Sequence, residues 1–395
     1  MSPSLKALTG LSLAAFAACA AGGGAPASAK TFVYVSNAQD GNIDAYVMDK
    51  ASGALTPIGK AEAAKLVMPM AVSPDRKLLY AVARSQPFSV FTYAIDAGTG
   101  ALTKKATAPL PDSMPYVSVD ATGRFLFTAS YGGDKIAVSP IAAGGLVEAE
   151  AIQVIPTGRN AHAILADRTN RFVYVPTLGA NQVLQFHFDA NTGKLTPNTP
   201  PAIDAGPGDG PRHLVFAPDN RHLYVLNELT GRIAQYAVDQ TKGTLAEVDG
   251  VASVPPEAGL VPGVPQAPAG TTPPPGPKDD RPKVWAADIQ IAPNGKFLYS
   301  TERTLSKIAL FTVAAGTGKL TYVTNVPTEK QPRGIKIDPS GNFLVASGEK
   351  SDRLAVYRID QASGRLTEVN RVPVGQGANW VEIVETPRIP GRGVW

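Results

Sequence analysis

Cysteine is almost absent from this 395-residue chain, because Cys19 is the only one. An internal disulfide framework is therefore excluded. Histidine is scarce, with four residues, and charged residues make up only 18% of the chain. The formal charge of +4 includes no basic run, which argues against nucleic acid as a partner. The chain also lacks a Walker loop, a dinucleotide fingerprint, H-E-x-x-H and G-x-S-x-G, so no cofactor or metal is predicted.

The first 29 residues have the pattern of an export signal. Lys6 precedes an apolar run of small residues, and Ala27-Ser-Ala29 forms an A-x-A cleavage site. A transmembrane anchor is not expected, because glycines and Pro26 interrupt the run before the roughly 20 residues that a span requires. Lipidation at Cys19 is the alternative, but the leucine usual three residues upstream is missing. We therefore expect a periplasmic or secreted protein, cleaved after Ala29.

Glycine and proline are abundant, with 38 and 35 residues, and 44% of the chain is hydrophobic. This composition is typical of a turn-rich all-β protein with ample material for a core. Seven segments then repeat one template: an aromatic strand, a polar turn, an alternating strand and a Gly-x-Leu-Thr sequence. The third residues of the aromatic strands are Tyr34, Tyr80, Phe127, Tyr174, Tyr224, Tyr299 and Val345.

Repeats two to seven also have a short strand before the aromatic strand, which gives four strands, here A to D, in about 45 residues. This spacing predicts a seven-bladed β-propeller of four-stranded antiparallel blades. The first repeat lacks strand A, whereas an extra strand, Trp380-Val-Glu-Ile-Val384, follows the last repeat. We predict that this C-terminal strand completes the first blade and closes the ring.

The predicted propeller spans residues 30–387 and leaves a short C-terminal tail, 388–395. One step between repeats is 75 residues instead of 46 to 50, because residues 253–283 carry ten prolines. Such a segment adds no strands. It is expected between blades five and six as a surface loop, with a lid over the site as the alternative.

Polar residues occupy two matching registers of the repeats. Because neighbouring strands are antiparallel, the start of strand A and the end of strand B lie on one face of the disc, at the mouth of the central channel. The residues there are basic, acidic or aromatic, which suits a small anionic or carbonyl-rich ligand. The chemically interesting members are Arg84, Tyr131, His162, Arg212, His213, Glu228, Asp288, Arg303, Arg333 and Glu349. The remaining two histidines, His187 and His222, are expected to be structural.

Four motifs are similar to those of the lactonase family of seven-bladed propellers, which includes 6-phosphogluconolactonases and the carboxy-cis,cis-muconate cyclase. They are Gly210-Pro-Arg-His213, Asn227-Glu228, Ala287-Asp-Ile289 and Pro332-Arg-Gly334. The resemblance extends over almost the whole chain from Thr31 to Thr386. It implies the same fold and a lactone-opening or lactone-forming activity.

In the cyclase branch the resemblance implies an active site composed of His162, Arg212, Glu228 and Arg303. Two positions depart from the family pattern, since Gln290 replaces a frequent histidine and Glu302 stands beside Arg303 in place of an asparagine. His162 is expected to act as general base on a water, assisted by Glu228, and the arginines to bind the anion and stabilise the oxyanion. His213, Arg84, Tyr131, Asp288, Arg333 and Glu349 are expected to contact the substrate.

The sequence therefore predicts an exported, monomeric lactonase-like enzyme acting on a small, anionic or sugar-derived lactone, by hydrolysis or by ring formation. A non-catalytic periplasmic binding propeller is the alternative, because propellers serve many functions. A metal-dependent sugar lactonase of the six-bladed kind disagrees with the seven repeats.

Overall fold

Seven four-stranded antiparallel sheets make up the protein. The computed structural model describes residues 29–268, 271 and 279–386, which contain 28 strands and one short 3-10 helix, Pro256–Ala258. The predicted seven-bladed, all-β propeller is thereby confirmed. The predicted signal up to Ser28, Cys19 and the tail 388–395 lie outside the described residues. Among the described residues no helix has the length and apolarity to cross a membrane.

Each blade runs from an innermost strand A to an outermost strand D. Blade one contains β28 (Ala378–Thr386), β1 (Lys30–Asn37), β2 (Asn42–Met48) and β3 (Leu55–Glu62). Blade two contains β4 (Val67–Val72), β5 (Leu78–Ala83), β6 (Ser89–Ile95) and β7 (Leu102–Pro109). Blade three contains β8 (Tyr116–Val119), β9 (Phe125–Ser130), β10 (Lys135–Pro140) and β11 (Gln153–Pro156).

The other four blades follow the same order along the chain. Blade four contains β12 (Leu165–Ala166), β13 (Phe172–Thr177), β14 (Gln182–Asp189) and β15 (Lys194–Asp204). Blade five contains β16 (Pro211–Phe216), β17 (His222–Asn227), β18 (Arg232–Val238) and β19 (Leu245–Ala252). Blade six contains β20 (Ala286–Ile291), β21 (Phe297–Glu302), β22 (Lys307–Val313) and β23 (Leu320–Pro327). Blade seven contains β24 (Pro332–Ile337), β25 (Phe343–Gly348), β26 (Arg353–Ile359) and β27 (Leu366–Pro373).

The C-terminal strand closes the ring as the sequence predicts. Strand β28 pairs antiparallel with β1 from Lys30 opposite Thr386 to Asn37 opposite Ala378. It therefore takes the innermost position of blade one, next to β1. Both ends of the propeller are held in one sheet, and an otherwise exposed edge of β1 is paired.

The hydrophobic core is a ring of seven clusters, each shared by two neighbouring blades. Alternating side chains of strands A to C point to opposite faces of each blade and so enter the two flanking clusters. The cluster between blades seven and one contains Val345 and Leu354 from one side and Val33 and Val35 from the other. Burial is therefore distributed around the ring, and no blade has a core of its own.

A contact that we call the clasp joins every pair of neighbouring blades. A glycine in the turn between strands C and D of one blade lies against a large side chain near the start of strand B in the preceding blade. Each of these glycines has a φ between 67° and 81°, a conformation that favours glycine. The pairs are Gly100 on Phe32, Gly145 on Leu78, Gly193 on Phe125, Gly243 on Phe172, Gly318 on His222, Gly364 on Phe297 and Gly53 on Phe343.

A hydrogen bond reinforces five of the seven clasps. The tyrosine of strand B donates its hydroxyl to the carbonyl oxygen of the clasp glycine, at distances between 2.6 and 2.9 Å. The donors are Tyr34, Tyr80, Tyr174, Tyr224 and Tyr299, which are five of the seven residues that revealed the repeat. Phe127 and Val345 occupy the other two positions and have no hydroxyl to donate. The clasp thus explains the glycine of the recurring Gly-x-Leu-Thr sequence and gives His222 a structural role.

Replacing one clasp glycine should weaken the ring. A Cβ at Gly243 would lie 2.1 Å from the ring of Phe172, and the backbone there has a φ of 69°. We expect Gly243→Ala to lower the free energy of unfolding by about 1–3 kcal/mol, through steric overlap and backbone strain. Chemical denaturation measures this effect. Gly98→Ala is the matched control, because its Cβ would meet only Asp96 at 3.5 Å; equal stability of the two variants would contradict the role of the clasp.

Candidate active site at the channel mouth

Irregular pairing at the start of strand A delivers extra side chains to the channel mouth. In blade five Pro211 pairs with Asn227 and His213 with Leu226, so Arg212 is an additional residue. Because two residues then oppose one, Arg212 and His213 no longer alternate between the faces of the sheet, and both reach the mouth. Blade seven repeats this arrangement at Pro332 and Gly334, with Arg333 as the additional residue. The Pro-Arg dipeptide is the sequence signal of both irregularities.

Arg212, Glu228 and Arg303 form a buried charged cluster across blades five and six. Arg212 Nε donates to Glu228 Oε2 at 2.7 Å, and Arg303 Nη2 donates to the same oxygen at 2.9 Å. All three side chains are at most 4% exposed. Backbone carbonyl groups fix the guanidinium groups further, since Arg212 Nη1 donates to Ala287 and Arg303 donates to Trp285 and Ala286.

The charged cluster contains more positive than negative charge. Burial alone would raise the pKa of Glu228, but the charges of Arg303, Arg212 and Arg333 outweigh burial and hold this pKa below its ordinary value. Burial and the neighbouring Arg303 lower the pKa of Arg212 to about 9, against the opposing effect of Glu228. The carboxylate and both guanidinium groups are therefore charged at neutral pH. One negative charge faces two positive charges.

Each guanidinium keeps one terminal nitrogen for a ligand. Among the described residues, no acceptor bonds to Arg212 Nη2 or Arg303 Nη1. The second carboxylate oxygen of Glu228, Oε1, likewise receives no donor from the described part of the chain. The indole ring of Trp285 lies 3.8 Å from the centre of the Arg303 guanidinium and holds it in a cation–π contact.

A layer of aromatic and imidazole rings lies next to the charged cluster. The ring of His162 is 5.6 Å from Tyr131 and 5.3 Å from His213. His213 also contacts Tyr116 at 5.2 Å and Trp380 at 5.8 Å. These five rings come from blades one, three, four and five, so the layer extends across the channel. His162 itself is placed by its neighbour Asn160, whose side-chain amide donates to the Tyr131 carbonyl oxygen at 2.9 Å.

Both histidines of this layer are neutral at neutral pH. Burial, followed by the charges of Arg212 and the other arginines, lowers the pKa of His162 well below 6.5. Burial and Arg212 lower the pKa of His213 to about 4, although Asp288 opposes this shift. The pKa of His162 departs from the ordinary value of histidine because the ring is buried beside cations.

One ring nitrogen of His162 and one of His213 have no hydrogen-bond partner among the described residues. Asp288 Oδ1 lies 2.9 Å from His213 Nδ1 and directs the proton of the neutral ring to that nitrogen. His213 Nε2 is then a buried acceptor with no partner in the described residues, and His162 Nδ1 is also buried without one. Asp288 Oδ2 accepts from the backbone N–H of Ile335 at 3.0 Å, which ties blade six to blade seven.

Arg84, Arg333 and Glu349 lie on another side of the mouth, in blades two and seven. Arg333 Nη1 lies 3.3 Å from Glu349 Oε1, and Arg84 Nε donates to Ser113 Oγ at 3.1 Å. Burial and then the charge of Arg333 lower the pKa of Arg84 to about 10, whereas Glu349 opposes the shift. The two arginines are thus close enough to repel each other. A bound anion would relieve this repulsion.

Trp285 and Trp380 were missed as site residues in the sequence. Trp380 occupies the strand A register of blade one, but this strand lies at the far end of the chain from its partner β1, so no shared turn aligns it with the other blades. Trp285 lies just before β20 and outside both registers. Glu302, which departs from the family pattern, accepts hydrogen bonds from the backbone N–H groups of Trp285 and Leu305.

The donor set gives no indication of a metal site. Within the described ranges no three His, Cys, Asp or Glu side chains are grouped so that they could hold a metal ion. Around the mouth the arginines outnumber the carboxylates, which favours an anionic ligand over a cation.

A closed seven-bladed propeller with a cationic mouth is the class of protein that these features define. A family model described as "Lactonase, 7-bladed beta-propeller" matches residues 32–383. The 6-phosphogluconolactonase of Serratia proteamaculans is 39% identical over 305 residues, which cover 77% of this chain and 84% of that relative. The 6-phosphogluconolactonase of Pectobacterium carotovorum is 37% identical, with coverage of 76% and 83%.

Solved structures agree on the fold. The periplasmic gluconolactonase of Pseudomonas aeruginosa superposes with a TM-score of 0.77 at 24% identity, covering 91% of this chain and all of that one. A Lactobacillus plantarum protein gives a TM-score of 0.75 at 23% identity, with coverage of 90% and 99%. The chain belongs to the lactonase family of seven-bladed β-propellers. The prediction of a lactonase-type hydrolase is thereby confirmed.

Glu228 is expected to stabilise the fold, because it is the shared counter-charge of two buried arginines. Glu228→Gln would leave two buried guanidinium groups without their shared counter-charge, so we expect the free energy of unfolding to fall by about 3–5 kcal/mol. Chemical denaturation at neutral pH measures the loss. Glu349→Gln is the control: this carboxylate is 22% exposed and contacts one arginine at 3.3 Å, so its removal should cost less than about 1 kcal/mol. A loss no larger for Glu228→Gln would contradict the counter-charge role.

Proposed function

We propose that this chain is an exported lactonase that hydrolyses a small, anionic or sugar-derived lactone at the channel mouth. One observation carries the proposal: the buried His162 ring is within range of the charges of Arg212 and Arg303, and no described residue accepts a hydrogen bond from Arg212 Nη2 or Arg303 Nη1. Hydrolysis requires a base for the attacking water and cationic donors for the developing oxyanion. His162 supplies the first, and Arg212 and Arg303 supply the second.

The proposed reaction begins with proton transfer from water to His162. The resulting hydroxide attacks the lactone carbonyl carbon, and a new C–O bond forms while the carbonyl oxygen gains negative charge. Arg212 and Arg303 hydrogen-bond this oxygen. The ring C–O bond then breaks, and protonated His162 returns the proton to the leaving ring oxygen. The product is an open hydroxy acid, and His162 is neutral again.

Glu228 assists through the arginines. Its carboxylate bonds to Arg212 and Arg303, so it orients both cations towards the substrate and does not contact His162. His213 Nε2 is available to accept a substrate hydroxyl group, in agreement with a polyhydroxylated ring. Arg84 and Arg333, with Glu349 as their acidic neighbour, would bind an anionic substituent. Asp288, which bonds to His213, would contact the substrate beside that ring. Tyr131 would contact the substrate beside His162.

The substrate range follows from the predicted export. A phosphorylated gluconolactone is a cytoplasmic metabolite, so an exported enzyme would meet unphosphorylated sugar lactones instead. Assays should therefore compare glucono-δ-lactone with 6-phosphoglucono-δ-lactone and with simple γ- and δ-lactones. Export itself is tested by locating the protein in periplasmic and cytoplasmic fractions, and by determining the N-terminus of the periplasmic form.

Removing the base should abolish most turnover. We expect His162→Ala to lower kcat/KM on the preferred lactone by about 100-fold or more, because the variant lacks the proposed general base. The rate of acid release, corrected for spontaneous hydrolysis, measures the effect. His187→Ala is the matched control, since His187 is an exposed residue of β14. A fully active His162→Ala variant would sink the mechanism, and a parent protein inactive on every lactone would favour the non-catalytic binding propeller.

The pH dependence of kcat/KM provides a second test. His162 works as a base only when it is neutral, and its folded-state pKa lies well below 6.5. Activity should therefore be constant from pH 8 down through about 6.5 and decline only at lower pH, as His162 becomes protonated. The profile is measured by initial rates in buffers of equal ionic strength. A decline centred at or above 6.5 would contradict the assignment.

A further inference from the structure

The described part of the proline-rich segment between blades five and six runs along one side of the channel mouth. It leaves blade five after β19 and forms the 3-10 helix Pro256–Ala258. Residues 259–268, which we call the strap, then extend along the mouth from blade five to blade three. There the Gln266 carbonyl oxygen accepts the Tyr131 hydroxyl at 2.8 Å, and Pro268 lies against Gly132. The predicted position of the insertion, between β19 and β20, is confirmed.

Backbone contacts hold the near end of the strap. Gly263 donates its N–H to the Leu229 carbonyl oxygen at 2.7 Å. Val261 forms a parallel bridge with Lys283, and Val284 donates to the Val261 carbonyl oxygen at 2.9 Å. A Cβ at Gly263 would lie 2.5 Å from the Val284 carbonyl oxygen, so only glycine permits this close approach. The strap is thus fixed at both ends.

A small hydrophobic cluster lies beneath the strap. Tyr131, Leu178 and Leu229 form a separate buried cluster at the mouth, contributed by blades three, four and five. Two of the three bond directly to the strap, through the Tyr131 hydroxyl and the Leu229 carbonyl oxygen. Tyr131 is also the residue whose ring contacts His162 at 5.6 Å. A single side chain, that of Tyr131, therefore connects the strap to His162, the proposed general base.

We propose that the strap is a fixed roof over the His162 side of the mouth, which shields His162 from bulk solvent and sets the size limit of the lactone. The size limit rests on the proposed function, whereas the shielding of His162 does not. A fixed roof makes the open part of the mouth narrower on the side of blades three to five. Small, ring-sized lactones then enter, and lactones with bulky substituents on the ring are rejected.

Replacing residues 256–282 with a short Gly-Ser linker tests the roof. We expect the ratio of kcat/KM for an aryl-substituted δ-lactone to that for glucono-δ-lactone to increase by about tenfold, because space for the bulky substituent would open. The acid limit of the pH profile should also move towards 6.5, because a hydrated His162 is easier to protonate. Unchanged selectivity together with an unchanged acid limit would overturn the proposal.

A second variant controls for the effect of shortening the segment between blades five and six. Deleting only residues 272–278 leaves the sequence of the strap intact and should preserve both the parent selectivity and the parent pH profile. If this deletion broadens the selectivity as much as the full replacement does, the strap is not the determinant and the size-limit proposal fails.

An NMR titration separates this proposal from the proposed function. The pKa of His162, assigned with a His162→Gln variant, can be measured without any turnover. We expect it to be higher after the full replacement than in the parent chain. An equal His162 pKa in both proteins would overturn the roof even if the enzyme is active. A raised pKa in a chain that hydrolyses no lactone would support the roof and reject the proposed function.

Discussion

The clasp between neighbouring blades is the constraint on which the rest of this structure depends. A glycine with positive φ lies against a ring or an aliphatic side chain of the preceding blade, and this occurs seven times around the disc. Because the hydrophobic clusters are shared between blades, no blade can bury its surfaces alone. The last clasp, Gly53 on Phe343, and the pairing of β28 with β1 join the two ends of the chain. The ring is closed by the same contact that builds it.

Closure matters for the site because the mouth is assembled from blades far apart in the sequence. The proposed base is in blade four, its two cations are in blades five and six, and the ring layer includes Trp380 of blade one. Their relative positions are determined by the angle between blades. A rigid ring therefore holds them in place before any ligand binds, which is what stabilisation of a developing oxyanion requires.

Burial controls the chemistry of the mouth in two opposite ways. It neutralises His162 and His213, whose pKa values fall because a charged imidazole would be desolvated beside arginines. The guanidinium groups resist the same desolvation because Glu228 and backbone carbonyl oxygens bond to them. The result is a neutral base next to an excess of positive charge. The strap adds to this burial, because its contact with Tyr131 covers the side of the mouth where His162 lies.

Repetition let the amino-acid sequence by itself determine the fold: the tyrosines of strand B and the clasp glycines recur because each blade must fit the next. The same alignment placed Arg212, Glu228 and Arg303 on one face, since the ends of antiparallel strands share a face. Tertiary structure alone decided that Glu228 bonds to two arginines, that His162 is neutral, and that Trp380 enters the site. These properties depend on distances across the channel and on exclusion of water. No spacing along a chain encodes them, because they arise only when the ring has closed.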